Sequence, residues 1–587
     1  MNYKSLKKVM DVAEGNAKAD ILVKNVNLVN VATKEIEKAD VSISEGIIAR
    51  VGLSKDNNST YEAENIIDGE GKYLIPGLID AHTHIEMCFL SPSAYADAVL
   101  QQGTTGAVLD MHDVCNVSIE SMHYFAKEIA TTPLKGYLMI PPCVPATPNL
   151  EDAGAEMDLE ELKKAVKLPN IKGIGETMDF NRVLEREKEI ISMLAWAKEQ
   201  GYRIDGHCPG LRGDSLQAYA AAGIISDHES GNIEEMLEKY RLGMKVILRR
   251  GSIEEPVKAG DFVNQLKDTT NVMLATDGCI YLDDILNKGH MIHALREIIS
   301  EGVDPVTAIQ MATINVARTY GMEHEVGIIA PGRYADMVLV DNLKDLNILC
   351  VIANGQKIEI DKNKVYPEYD YPSSVLNSVT LDNITAQDLE IKAPIDEGEI
   401  IVKVIGVNDK EVVTKELHET VKVSQGKIVA DTSKDILKVA VIDRYHDQGL
   451  KTVALVKGFG LKQGAFGGTI GQDSQNLIVV GANDNDMVRV IDALREIQGG
   501  VVVANNGQVV SKVWLPIAGI MSRLNPWKLN SEFESLHKTL KELGCEMRNP
   551  SFALSLMITC AVIPELKMTN RGLVDANKGE FVSLFVD

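Results

Sequence analysis

The chain has 587 residues, 45% hydrophobic and 25% charged, enough for roughly three to four domains with large buried cores. Its 60 basic and 84 acidic residues give a net charge of −24 with no Lys/Arg block, which argues against a nucleic-acid or anionic-membrane partner. The longest largely apolar run, Phe552 to Ile563, stops at Pro564. That is short of the ~20 residues a membrane helix needs.

Behind Met1 to Lys8 comes Val9-Met10-Asp11 rather than an apolar core, so no secretory signal is expected there. Eight cysteines show no CxxC pairing and too little density for a disulfide scaffold, so they read as free thiols in a reducing cytoplasm. Short strands are expected at 21–23, 26–31, 41–43 and 47–51, with turns at Asn25 and Gly46. A similar patch recurs downstream: Gly327-Ile328-Ile329, then Asp336 to Val340, Val351-Ile352 and Ile358. The economical reading is one small β-domain, 1–72 plus 322–365, made from both sides of an insertion.

The inserted block, 73–321, alternates strand and helix. Eight strands are predicted at 78–84, 104–110, 135–141, 171–176, 202–207, 223–228, 244–249 and 271–277. Helices are predicted between them, among them Leu159 to Val166, Leu184 to Glu199 and Ile233 to Tyr240. Eight βα units over about 250 residues predict an α/β fold with a (β/α)8 barrel, whose active site lies at the C-terminal strand ends. Residues 370–587 read as a separate α+β domain, with strands near Ile400 to Val407, Val439 to Asp443 and Thr452 to Val456. Met487, Val490, Ile491, Leu494 and Ile497 form one helical stripe, capped by Asp484 or Asp486; Phe533, Leu536, Leu540 and Leu543 form a second. The glycine-rich run from Gly458 to Gly471 lacks a phosphate-loop pattern and reads as a flexible loop.

The strand ends carry the chemistry. The first ends in Asp80-Ala81-His82-Thr83-His84, and side chains two apart on a strand point the same way. The fourth ends in Glu176, the fifth in His207, the sixth in His228 and the eighth in Asp277. Four imidazoles and two carboxylates at one rim suit divalent transition metals such as Mn, Fe or Zn. A carboxylate between two histidine pairs can bridge two ions, and two ions sharing a water lower its pKa toward neutrality. Asp277 is placed to take that proton and return it to a leaving group. Glu86, two residues past His84, is placed to orient a ligand or the substrate. Cys88, Cys208 and Cys279 also fall at strand ends, where packing of small residues is the simplest account.

This constellation resembles the amidohydrolase superfamily, and several stretches look like its adenine deaminase family. They include PGLIDAHTHIE from 76, QGTTGAVLDMHDVCNV to 117, GIGET at 173–177, DGHCPGL at 205–211 and AAGIISDHES at 221–230. Downstream, LIVVGANDNDM at 477–487, LPIAGIM at 515–521 and VIPELKMTNRGLVD at 562–575 extend the likeness through the terminal domain. The resemblance implies hydrolytic deamination of adenine to hypoxanthine and ammonia, attack on a cyclic amidine C–N bond in purine metabolism. It implies metal ligands at His82, His84, Glu176, His207, His228 and Asp277, holding two ions per chain, manganese before iron or zinc. Mononuclear deaminases of the superfamily carry a Glu shortly after the fifth-strand His. Cys208-Pro209-Gly210-Leu211 stands here instead, which favours the bridged pair. His112 matches a family histidine and becomes a catalytic candidate beside Asp277 and Glu86.

Three segments depart from the family pattern. Gly278-Cys279-Ile280-Tyr281 replaces a polar run after Asp277, Met87-Cys88 replaces two serines, and Gln472 and Gln475 stand where an AHDSHN pattern has histidines. The metal set is kept while substrate-facing positions change. Adenine deamination is therefore expected with a larger or less polar aminopurine as competitor. A cyclic amide is the alternative substrate, and a catalytically idle amidohydrolase-like binding protein the alternative of another class. The expected partners are a small purine and a second copy of the chain in a cytoplasmic homodimer.

Overall fold

Apolar segments with period-two division between two faces build the centre of the molecule. The computed structural model describes residues 1–587 except 54–61, 254–256, 367–368, 410, 447–448 and 587. Eight parallel strands follow in chain order: Leu78–Thr83, Thr104–Asp110, Lys135–Ile140, Ile171–Thr177, Arg203–Gly206, Ser226–Asp227, Lys245–Arg249 and Val272–Ala275. Backbone hydrogen bonds close the ring, Ile225 N to Ile204 O at 2.9 Å between the fifth and sixth strands and Asp277 N to His82 O at 2.9 Å between the eighth and first. Ile79, Ala81, Val108, Met139, Ile247 and Met273 fill the interior. Their neighbours Leu78, Val246, Leu248, Val272 and Leu274 face the outer helices. This is the α/β barrel that the strand count predicts.

Local departures have physical reasons. The sixth strand is two residues rather than six, because Gly223 leaves the preceding helix at φ +104° and pairing starts late. The helix expected over 184–199 is two helices, Phe180–Glu185 and Lys188–Glu199, since Arg186 adopts a left-handed φ of 63°. Asn25, expected in a turn, instead forms a bulge inside one continuous strand, Ala19–Asn30, where it takes φ 57° and donates its N–H to Asp40.

That strand belongs to an eight-stranded sheet outside the barrel. Met337–Val340 pairs antiparallel with Tyr73–Pro76, so chain from both sides of the barrel shares one sheet. The helix Tyr3–Ala13, capped by Asn2, packs Val9 and Val12 against its Ala19, Ile47 and Ala49.

The C-terminal region centres on a ten-stranded sheet. Leu437, Val439, Val441, Ile478, Val480, Val501 and Val503 face the helix Pro526–Glu542 and share a continuous core with the barrel. Ala440, Ile442, Val479 and Val502 face the other helix, Asp484–Ile497. Asn483, one position earlier than either expected aspartate, caps that helix by accepting from Asp486 N. The glycine run is not a flexible loop throughout. Ala465–Gly471 is a fully buried strand, and a Cβ on Gly467 would lie 2.5 Å from Ile478 O, so glycine serves close strand packing. Among the described residues no helix is long and apolar enough to cross a membrane.

Candidate metal centre

The six strand-end donors converge. His82 Nε2 and His84 Nε2 lie 3.1 Å apart, and Glu176 Oε1 is 3.4 Å from the first and 2.9 Å from the second. Asp277 Oδ1 stands 3.3 Å and 3.4 Å from the same two nitrogens. The other oxygen of Glu176, Oε2, lies 2.9 Å from His207 Nδ1 and 3.3 Å from His228 Nε2. One carboxylate thus divides its oxygens between two histidine pairs. Two imidazole nitrogens facing each other at 3.1 Å across a shared carboxylate oxygen is a ligand arrangement around a cation, so the donor set fits divalent metal. All six side chains are nearly or wholly buried.

Neighbouring backbone and side chains set this geometry. Asp80 accepts from Thr276 N at 3.0 Å and Thr276 Oγ1 at 2.6 Å, tying the eighth strand to the first. Asp277 follows in a left-handed conformation, φ 53°, and Gly278 continues it at φ 64°. A Cβ on Gly278 would stand 2.7 Å from His84 O, so glycine permits the turn that swings Asp277 over the rim. Asp110 accepts Glu176 N at 2.8 Å, and Gly175 makes room: its Cβ would lie 2.0 Å from Asp110 Oδ2. Behind His207 and His228, Asp227 accepts Cys208 N at 2.9 Å and pairs with buried Lys239 at 2.8 Å.

Charge follows the geometry. Burial opposes an imidazolium at His82, yet hydrogen bonds to Asp277 and Glu176 outweigh it and lift the group to about 10. The same balance raises His84 well above its usual range and His207 to about 8. Glu176 and Asp277 are held well below the usual carboxylate range, burial being overcome by His228 and the other imidazoles.

Of the other candidates, His112 joins the site and Glu86 does not. The His112 ring lies 4.5 Å from that of His84, with Nδ1 3.7 Å from Glu176 Oε1 and Nε2 3.2 Å from Asp473 Oδ1. Against the cost of burial, Asp113 and the Asp473 hydrogen bond raise its pKa to about 10. Glu86 sits behind the rim, accepting Val114 N at 3.3 Å. Burial and the nearby Asp113 push its pKa up to about 8. Cys279 lines the cavity over the metal donors, whereas Cys88 and Cys208 are packed behind them.

Several site residues escaped the sequence reading. Glu229, directly after His228, and Arg249, ending the seventh strand, form an ion pair, and Arg249 Nη1 also holds Asp277 Oδ2 at 2.9 Å. The seventh-strand end was the available signal. From the C-terminal region, Asp473, Val412 and Ile563 close the cavity over the donors beside Gln472, a position the sequence marks as substrate-facing. Gln475, expected among substrate-facing positions, turns instead to Asp113. The inner cavity is only about 40 Å³ and shares Glu229, Arg249, Cys279, Val412 and Ile563 with an outer one of about 750 Å³.

The Amidohydrolase family model matches residues 73–358, the span that holds the α/β barrel and its strand-end donor set. The Adenine deaminase C-terminal domain model matches residues 411–580. An adenine deaminase from Kosmotoga olearia is 39% identical over 98% of this chain and 98% of its own length. Those of Clostridium botulinum and Archaeoglobus fulgidus are 38% and 37% identical, covering 99% and 100% of this chain and 98% and 99% of their own. The chain belongs to the adenine deaminase family.

Proposed function

We propose that the chain hydrolyses adenine to hypoxanthine and ammonia at a centre of two divalent ions, manganese before iron or zinc. The observation that carries this reading is Glu176, whose two oxygens face different histidine pairs. His82, His84 and Asp277 would hold one ion and His207 and His228 the other, with Glu176 between them. Two ions there would make a shared water acidic enough to supply a nucleophile at neutral pH.

The chain's own residues do the rest. Asp277 takes the proton of the attacking water and delivers it to the departing amino group, so that ammonia rather than amide leaves. Arg249, 2.9 Å from Asp277 Oδ2, fixes that carboxylate and keeps it anionic between transfers. His112, oriented by Asp473, lines the same inner cavity and so borders the reacting edge of the purine. Val412, Leu556 and Ile563 exclude bulk water from above.

Ligand sites commonly need about 300–1,000 Å³. The inner 40 Å³ therefore receives only the amino-bearing edge, and the rest of the ring lies toward the outer cavity among Val412, Val413, Ile563 and Pro564. That apolar outer volume favours a second reading on the same chemistry, a bulkier aminopurine as competing substrate. The reading takes the enzyme to work in the cytoplasm, a reducing medium in which cysteine thiols persist. Incubation of the manganese-loaded protein with a panel of aminopurines, followed by the loss of adenine's ultraviolet absorbance and release of hypoxanthine, tests it. Adenine left untouched while another aminopurine turns over would retain the chemistry and reject adenine.

A further inference from the structure

Among the contacts of the C-terminal region with the barrel is a buried turn, residues 472–476, whose polar side chains are all engaged. Gln472 Nε2 donates to Asp113 Oδ1 at 2.8 Å, and Gln475 Nε2 donates to the same oxygen. The turn itself is pinned from behind. Fully buried Arg444 donates Nε to Gln475 O at 2.6 Å, Tyr445 donates its hydroxyl to Ser474 O at 2.8 Å, and Asn476 reaches Asp152 O at 2.8 Å.

Asp113 is 1% exposed, and its two oxygens are used unequally. Oδ1 receives both carboxamides. Among the described residues Oδ2 has no hydrogen-bond partner, and it lies 3.8 Å from His84 Nδ1, which has none among them either. The other nitrogen of that ring, His84 Nε2, faces Glu176 and Asp277. An imidazole that ligates through Nε2 must carry its proton on Nδ1, and that proton needs a buried acceptor. Asp113 Oδ2 is aimed to be that acceptor, about 1 Å beyond a normal hydrogen-bond length. A carboxylate with one oxygen clamped by two donors keeps the other directed, and carboxamides donate in the same protonation state at every physiological pH.

Resting on the two-ion reading above, we infer that Gln472 and Gln475 are positioning residues of the metal centre. Acting through Asp113, they fix the tautomer and ring orientation of His84 and so set the affinity of the ion that His82 and His84 hold. The C-terminal region thus completes the barrel's coordination sphere from outside. This explains why two polar side chains are buried there at the expense of their hydration.

The test uses the full chain, stripped with a chelator and titrated with Mn²⁺ while free ion is followed by electron paramagnetic resonance. Wild type, Gln472→Leu, Gln475→Leu, the double variant, Asp113→Asn, and the triple variant are compared. The double variant weakens one of two binding steps about 10- to 100-fold and leaves the other unchanged. Its effect disappears when Asp113 is already Asn, because the glutamines act through that residue. Thermal unfolding of each apo protein is measured alongside. A purely structural role lowers the unfolding temperature and moves both binding steps or neither. Unchanged Mn²⁺ affinity in the double variant, or losses that add to that of Asp113→Asn, overturns the inference. Wild type that fails to bind two ions rejects the two-ion reading instead, and the two failures are distinct.

Discussion

Replacing Lys239 with Met tests how the fifth and sixth strand ends are held together. The ammonium is fully buried and uses all three protons, to Asp227 Oδ2 at 2.8 Å, Glu235 Oε1 at 2.6 Å and Cys208 O at 2.8 Å. Removing one partner of a buried pair costs about 3–5 kcal/mol, because the remaining charge is left without compensation. Asp227 keeps donors from Cys208 N at 2.9 Å, Ser230 Oγ at 2.8 Å and Glu229 N at 3.2 Å, which puts the loss near the lower end, about 3 kcal/mol. Native-state hydrogen exchange of the helix Ile233–Arg241, which carries Lys239, reads this loss as a fall in local opening free energy. Adding Asp227→Asn to Lys239→Met should recover at least about 1 kcal/mol relative to the sum of the single changes. A Lys239→Met protein within about 0.5 kcal/mol of wild type refutes the argument.

Three further outcomes are expected. Asp277→Asn lowers turnover by a factor of about 10²–10⁴ with metal still bound, measured by steady-state kinetics and metal analysis; full activity would shift the proton role to His112. His290 is fully buried and its pKa is driven down to about 3 by burial, so the folded state keeps it neutral while the unfolded state protonates near 6.5. The unfolded state binds more protons, so this contribution is lost as pH falls from about 6.5 toward 3, at about 1.4 kcal/mol per unit. His290→Asn therefore flattens the stability profile by one proton over that window, and an unchanged slope in denaturant titrations contradicts the assignment. Ile563→Ala widens the passage between the cavities and raises the preference for a bulky aminopurine over adenine at least about tenfold, read from competing kcat/KM values; an unchanged ratio rejects the proposed route.

The barrel was legible because alternating apolar strands and intervening helices leave a periodic record over eight units. Its donors were legible because strand ends are fixed by that same periodicity. What escaped the reading depends on contacts far apart in sequence. Gln472 meets Asp113 across 359 positions, and no local pattern records that meeting. Glu229 and Arg249 are a different case. They stand on the rim already being read, but a charged pair there looks like any solvated surface pair until burial is known. Asn25 was misplaced because a residue with positive φ suits a turn and a bulge equally, and only the partner strand decides between them. The glycines of Ala465–Gly471 misled for a related reason: flexibility and close strand approach call for the same residue.

Counting ions against turnover tests the central claim most directly. The full chain is stripped, reloaded with increasing Mn²⁺, and assayed for bound metal and for hypoxanthine formed from adenine in the same samples. The account predicts saturation at two ions per chain, with turnover rising to its maximum only as the second ion binds. Full turnover at one ion per chain, or two bound ions with adenine unchanged, would contradict it.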